Sequence, residues 1–296
     1  MSDTPSAPRV LVVSGADERY AHLLDDLIAS LRDTGIAGRV DIGVFDLGLA
    51  PETRARYEAE GLPVVAPGVE LEVPAKYRCG GPYVVLSRLF MPEYFPGYDV
   101  YVWMDCDTWV QTADAVDAYV EGASRLGGAV GEERHPTYRF AARLKGYTLK
   151  NLVKCFGAAE GARLFARAHI NAGVFAFAAD APHWALWRDI LQTAMNRSGR
   201  VEATNQMALN YTVYRTAAKT AFLPAHYNWI CDKGPLAWDP DRRRYVDTGA
   251  AHGEIKVLHL AGAAKRTPMP VRILGGGREA HLLLYSRRPE ALADAA

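Results

Sequence analysis

The segment Tyr98-Asp99-Val100-Tyr101-Val102-Trp103-Met104 runs into Asp105-Cys106-Asp107. A run of this length, rich in β-branched and aromatic residues and stopped by acids, predicts a strand buried on both faces. Such a strand needs helices over its sheet, which constrains the chain to a layered α/β architecture. The two acids then emerge at the strand's carboxyl-terminal tip, where open α/β sheets bind their ligands. Two hard oxygen donors placed there suit Mg²⁺ or Mn²⁺. An Asp-x-Asp pair also occurs as a solvated turn or a helix cap; the buried run before it is what argues for a site.

The flanking pattern agrees with a parallel sheet. Arg9 to Ser14 is a short apolar run closed by Gly15. Asp17 to Thr34 carries Leu23, Leu24, Leu27, Ile28 and Leu31 at helical spacing, with Gly35 in the position that ends helices. Val40 to Phe45 reads as a second strand, Pro51 opens a short helix, and Val64-Val65 and Val69 to Val73 read as short extended pieces. Tyr83 to Phe95 is predicted helical. This alternation predicts a Rossmann-like sheet over the first hundred residues. Beyond it, Gly127 to Gly131 reads as a strand and Tyr138 to Arg167 as mostly helical and basic. Ala168 to Phe177 is a strand interrupted by Asn171-Ala172-Gly173. Pro182 to Asn196 and Thr204 to Arg215 are helices, and Ile255 to His259 is a late strand. Without repeat or linker, the predicted organisation is a flexible leader over 1–8, one large domain over 9–275, and a tail over 276–296. That tail, with Leu282-Leu283-Leu284-Tyr285 beside Arg287-Arg288, is read as a packing helix, with weak peripheral membrane contact as the alternative.

Composition removes some classes of function. Lys plus Arg number 34 and Asp plus Glu 34, so the chain lacks the basic excess of a nucleic-acid binder. The four cysteines are far apart with no Cys-x-x-Cys pair, which argues against a zinc site and against a disulfide framework. Cys106, between the acids, is read as a small apolar residue turned into the core rather than a catalytic thiol. Met1 to Pro8 has neither a basic nor an apolar segment, and no run approaches the ~20 apolar residues of a membrane span. The expected location is cytoplasmic.

Four further groups carry candidate chemistry. Asp17-x-x-Tyr20 follows the first strand, where an acid and an aromatic can hydrogen-bond and stack on a nucleobase; helix capping by Asp17 is the alternative. In Asn171-Ala172-Gly173-Val174-Phe175 the amide can serve sugar hydroxyls and the glycine allows close approach of the backbone, and a β-bulge there is compatible with both. Asn205-Gln206 opens a helix, either facing a cleft or capping. In His259-Leu260-Ala261-Gly262-Ala263-Ala264-Lys265, a neutral imidazole can complete a site begun by two carboxylates, and Lys265 can neutralise phosphate charge beside Gly262.

Taken in order, these groups resemble the family-8 retaining glycosyltransferases, which include glycogenins and bacterial lipopolysaccharide galactosyl- and glucosyltransferases. The matching residues are Asp17/Tyr20, Arg88-Leu89-Phe90, Asp105-Cys106-Asp107-Thr108, Asn171-Ala172-Gly173-Val174, Asn205-Gln206, Leu223-Pro224 with Tyr227-Asn228, and His259 to Lys265. They span roughly Arg9 to Arg266, and their order is what is specific. The resemblance implies a GT-A fold: a Rossmann-like mixed sheet flanked by helices in a single large domain. It implies Asp105, Asp107 and His259 around Mn²⁺ or Mg²⁺, and donor contacts from Asp17, Tyr20, Arg88, Asp105, Asn171, Ala172, Gly262 and Lys265. Gln206, Asn205 and Lys265 are the implied catalytic residues. The implied reaction moves a hexose, with retention, from a UDP-sugar to an acceptor hydroxyl on a glycan, a lipopolysaccharide core or a small molecule. The family usually has an acid where Asn205 stands, and Pro-Trp where Arg266-Thr267 stands. With an amide in place of a carboxylate nucleophile, front-face attack is the expected route. Two alternatives remain at this stage. One is a haloacid-dehalogenase-like phosphatase using Asp105 and Asp107, although the later acidic motif of that fold is missing. The other is an inactive nucleotide-sugar-binding module.

Overall fold

The computed structural model describes residues 7–68, 70–73, 86–139, 142–201 and 203–289. Strand β1 (Val10–Ala16) is buried along its whole length. A 3-10 turn at Glu18–Tyr20 leads into α1 (Ala21–Asp33), which buries Leu23, Leu24, Leu27, Ile28 and Leu31. Gly35 follows with φ 75°, a left-handed conformation that glycine adopts at little cost. β2 (Asp41–Asp46), α2 (Pro51–Ala59) and β3 (Val64–Val65) complete the first layer. The described part of the expected extended piece, 70–73, forms no strand. Of the helix predicted over 83–95, the described residues are helical at 86–87, then form a 3-10 turn at Arg88–Phe90 and the one-turn α3 (Met91–Tyr94). Pro92 has no N–H to bond back to the Arg88 carbonyl, so one continuous helix cannot form there.

The central elements are β4 (Val100–Met104), β5 (Thr108–Val110), α4 (Asp114–Leu126), β6 (Gly128–Glu132), α5 (Ala142–Phe156), α6 (Ala158–Phe165), β7 (Ile170–Ala178), α7 (His183–Ser198), α8 (Thr204–Arg215) and β8 (Thr220–Leu223). The sheet order is β3-β2-β1-β4-β7-β6-β8. β1, β2, β3 and β4 run parallel, β7 is antiparallel to both β4 and β6, and β6 is parallel to β8. The sheet is therefore mixed, as expected, with its parallel half at the amino-terminal end of the chain. The chain winds outward from β1 to β3, then returns to place β4 on the other side of β1. The β1/β4 boundary is thus the switch point of the parallel half, beyond whose carboxyl edge α/β sheets take their ligands. Between β6 and β7 the register jumps from Val130↔Phe175 to Glu132↔Ile170. The irregularity expected at Asn171-Ala172-Gly173 lies within this jump.

The carboxyl-terminal third adds two small sheets, from β9 (Trp229–Ile230), β10 (Leu236–Asp239), β11 (Arg244–Asp247), β12 (Val257–His259), β13 (Met269–Ile273) and β14 (Arg278–His281). Their orders are β5-β12-β9 and β11-β10-β13-β14. Trp109, Trp229, Trp238, Tyr245, Leu258 and Val271 form a core of their own between these sheets.

The tail differs from expectation. Its described residues form β14 and a 3-10 turn at Tyr285–Arg287 rather than a helix, and the β13–β14 hairpin crosses the predicted boundary at 275. Leu283 and Tyr285 are buried, Trp109 Nε1 donates to the Leu283 carbonyl at 2.8 Å, and Tyr285 Oη donates to Asp33 at 2.6 Å. These residues belong to the core and offer no amphipathic helical face to a membrane. Among the described residues no helix is long and apolar enough to cross one.

Candidate active site

Three chain segments bring the metal-ligand types together. Asp105 leaves the end of β4, and its backbone N–H donates to the Gly173 carbonyl on β7 at 2.7 Å. Asp107 lies two residues on, its carbonyl accepting the Leu260 N–H at 2.7 Å, and His259 ends β12 opposite Thr108 of β5. The result places His259 Nε2 3.4 Å from Asp107 Oδ1 and 3.9 Å from Asp105 Oδ2. Two carboxylates and one imidazole within 4.8 Å of one another form a donor set for a hard or borderline divalent ion.

Neighbouring residues fix each of these donors. Asp105 Oδ1 accepts Trp103 Nε1 at 2.7 Å and Arg88 Nη1 at 3.3 Å, which leaves Oδ2 for the centre. His259 Nδ1 lies 2.9 Å from Asn228 Oδ1, an acceptor. This bond places the ring proton on Nδ1 and leaves the Nε2 lone pair facing the two acids, the usual arrangement of a ligand histidine. Asn228 in turn donates through Nδ2 to Asn171 Oδ1 at 3.2 Å. Gly173 keeps the middle open: a Cβ there would lie 2.3 Å from His259 Cε1 and 2.9 Å from Asp105 Oδ2. The convergent donors and this glycine-walled space fit a bound metal.

The electrostatics follow from burial and pairing. Burial opposes the Asp107 charge, but His259 and Lys265 outweigh it and hold the carboxyl far below the usual range. Lys265 Nζ donates to Asp107 Oδ2 at 2.5 Å. Burial opposes a charge on His259 too, and the two aspartates push its affinity for a proton back up. Cys106 is partly buried, packs against the apolar core formed with Val12, Val102 and Met104, and also borders the cavity beside the acids. Burial, followed by the flanking acids, raises that thiol far above its ordinary range, so it is not a nucleophile.

Beside the acids lies a cavity of about 270 Å³, lined by Ala16, Asp17, Tyr20, Trp103, Asp105 and Lys265 among others. It sits at the β1/β4 switch point. Asp17 Oδ2 is held by Arg19 at 2.6 Å, and its buried Oδ1 has no hydrogen-bond partner among the described residues. Tyr20 presents its ring to Lys265 Nζ at 5.4 Å and accepts Arg266 Nη2 on its hydroxyl at 2.9 Å. Asp17 does not cap the following helix through its side chain. Gly262, with φ 67°, opens the 3-10 turn that carries Lys265.

Other predicted residues make contacts within the protein. Arg88 is 4% exposed and is used within the protein, donating to Asp105, to the Ala172 carbonyl at 2.8 Å and to Asn205 Oδ1 at 3.1 Å. Asn205 is 2% exposed, so it faces Arg88 rather than the cleft. It is linked to Asp105 through the arginine. Ala172 contributes only its backbone, since its side chain is buried and its N–H donates to Gln206 Oε1 at 3.3 Å. That contact fixes the Gln206 amide, whose Nε2 donates to His169 Nε2 at 2.8 Å. Burial lowers the His169 pKa, which keeps the ring a neutral acceptor. Asn171 Nδ2 donates to Glu133 Oε1 at 3.0 Å, and Glu133 pairs with Lys233. Around His169 a further cavity of about 390 Å³ opens, lined by Arg134, Lys145, Arg167 and Lys233. The sequence reading missed His169, Glu133, Lys233 and Trp103, and gave Asn228 no role. Only Trp103 left a signal, as a hydrogen-bonding aromatic two residues before an acid on one strand.

By sequence, the chain matches no protein-family model and no curated protein. By structure it resembles the galactosyltransferase LgtC in complex with donor and acceptor sugar analogues: TM-score 0.53, 15% identity, 86% of this chain and 88% of that one. An active-site glutamine-to-glutamate mutant of LgtC aligns with TM-score 0.51, 13% identity, 85% and 87% coverage. The bifunctional glycosyltransferase WbbM aligns with TM-score 0.51 and 16% identity over 88% of this chain, which spans 47% of that one. The fold is the GT-A fold. In it the Asp-x-Asp pair follows β4, whereas the phosphatase alternative expects such a pair after the first strand.

Proposed function

We propose that this chain is a metal-dependent glycosyltransferase of the family-8 type, moving a hexose from a UDP-sugar to an acceptor hydroxyl with retention. The observation that carries this reading is the convergence of Asp105, Asp107 and His259 on a space kept open by Gly173, next to a switch-point cavity edged by Asp17 and Tyr20. Asp17 Oδ1, a buried acceptor awaiting a donor, suits the N–H of a pyrimidine base, and Tyr20 offers a stacking face. Asp105, Asp107 and His259 would hold Mn²⁺ or Mg²⁺, which when bound supplies positive charge against the donor's two phosphates. Lys265 adds a second positive charge at the same place, where negative charge accumulates as the sugar–phosphate bond breaks.

Gln206 is the residue placed nearest the sugar's reacting face in this reading. LgtC also has an active-site glutamine. Its amide is fixed by Ala172 and His169, and an amide is a weak nucleophile, so a covalent glycosyl-enzyme through this residue is disfavoured. With Asn205 committed to Arg88, front-face attack follows, the acceptor hydroxyl passing its proton to the departing phosphate oxygen. The cavity at His169 lies beside Gln206 and is the proposed acceptor entrance, for a glycan, a lipopolysaccharide core or a small metabolite.

Calorimetric titration of UDP with Mn²⁺, repeated with EDTA, tests the reading. Metal-dependent binding that is lost in Asp107→Asn supports it, whereas UDP binding unaffected by EDTA and by that substitution sinks the metal assignment. Proton NMR of the first product formed tests retention separately. Turnover of a generic aryl phosphate would revive the phosphatase alternative.

A further inference from the structure

A second cluster of metal-ligand types lies outside the site just described: His135, His226 and Asp247, with donor atoms within 4.8 Å of one another. His226 Nε2 lies 2.7 Å and His135 Nε2 3.6 Å from Asp247 Oδ2. A tetrahedral zinc site with bonds of about 2.0–2.1 Å places its ligand atoms about 3.3 Å apart, so small side-chain rotations bring these three into register. We propose that His135, His226 and Asp247 bind Zn²⁺, with water in the open position.

Several observations support a built site. The donors come from three separate segments: the loop after β6, the 3-10 turn Ala225–Asn228, and the end of β11. The carboxylate is fixed before any ion arrives, since Asp247 Oδ1 accepts the Gly249 N–H at 2.5 Å and Oδ2 the Gly253 N–H at 3.0 Å. A glycine guards the space, as at the first site: a Cβ on Gly253 would lie 2.7 Å from both Asp247 Oδ2 and His226 Nε2. The loop that supplies Gly253 also holds His252 at φ 45°, a left-handed conformation costly for a residue other than glycine. The edges of His135 and His226 stay partly exposed, which gives an ion a way in.

The two clusters differ in donor chemistry. Two carboxylates and one imidazole favour a harder ion, while two imidazoles and one carboxylate favour zinc. The cysteine spacing that argues against zinc says nothing about such a site, because its ligands are histidines brought together by the fold. An ion here would tie the small β11 sheet to the turn that carries Asn228, and Asn228 orients His259. The second cluster would therefore stabilise the first without touching its substrate.

The test is Zn²⁺ binding to the metal-stripped full-length chain by competition with a chromophoric chelator, with Co²⁺ absorption as a second readout. The Asp107→Asn variant weakens the first cluster, and in that background one tight Zn²⁺ should remain, with the intense visible bands of a four-coordinate nitrogen and oxygen site. Adding His226→Ala or His135→Ala should remove that ion or weaken it by more than the about 10- to 100-fold typical of losing a supporting residue. Gly253→Ala keeps all three ligands and should also weaken it. Circular dichroism and thermal melting identify which variants stay folded, and Zn²⁺ should raise the melting temperature of Asp107→Asn but not that of its His135→Ala derivative. The proposal is overturned if folded His135→Ala and Gly253→Ala derivatives bind Zn²⁺ as Asp107→Asn does, or if Asp107→Asn binds no Zn²⁺. Neither outcome bears on nucleotide binding at the first cluster.

Discussion

Gly173→Ala is the most direct test of the proposed centre. Gly173 is not among the residues with positive φ, so alanine fits its backbone and the substitution adds only a methyl group. That methyl would sit 2.3 Å from His259 Cε1, 2.7 Å from Asn171 Oδ1 and 2.9 Å from Asp105 Oδ2. Ordinary contacts begin near 3.4 Å, so the imidazole has to retreat by about 1 Å. A displacement of that size in a preorganised site costs about 10²-fold in rate, or about 3 kcal/mol of barrier. The assay measures kcat/KM with a UDP-sugar donor, Mn²⁺ affinity by calorimetry and thermal stability, for both proteins. The expected result is a large loss of Mn²⁺ affinity and of turnover in a chain that still melts cooperatively. A folded alanine variant with unchanged Mn²⁺ affinity would refute the claim that ions bind in the space in front of Gly173.

Three other outcomes follow from the same geometry. Asn228→Leu removes the acceptor for His259 Nδ1, and Mn²⁺ affinity should fall about 10- to 100-fold by calorimetry. Asn205→Asp places a carboxylate against the buried Arg88, so the melting temperature should rise while kcat stays within about tenfold, a barrier change under about 1.4 kcal/mol; a larger change in kcat would mean that residue 205 reaches the sugar after all. His183 is fully buried against Phe177, among the described residues is bonded only to Thr220, and burial pushes it from 6.5 down to about 4. Between those values the unfolded chain takes up a proton that the native chain refuses, so stability present above pH 6.5 is lost as pH falls, by about 3 kcal/mol in full. Urea unfolding of wild type and His183→Gln at pH 7 and pH 4.5 checks this, and equal losses in the two proteins would remove His183 from the account.

Much of this was legible in the chain because it depends on local spacing. The apolar run at 100–104 and its two acids specified a buried strand with carboxylates at its tip, and the helical spacing of Leu23 to Leu31 specified the helix that covers it. The order of motifs from Asp17 to Lys265 was enough to expect a GT-A fold. The small carboxyl-terminal strands were not legible: Arg278-Glu279-Ala280-His281 carries no alternation, and it is a strand because β13 pairs with it.

Only the tertiary structure decided how adjacent residues divide their work. Asn205 and Gln206 are neighbours on one helix, about 100° apart around its axis, and the docking of that helix on β7 turns one toward Arg88 and the other toward His169. Nothing in the local sequence sets that rotation, because it depends on which face of the helix finds the core. Gly173 likewise reads as a bulge in sequence and becomes the wall of the proposed ion site only when β12 brings His259 in front of it. The same holds for His135, His226 and Asp247, whose separation along the chain hides them until three segments meet. Spacing along a chain fixes what one element can present, whereas a site made of several elements exists only once packing has fixed their relative positions.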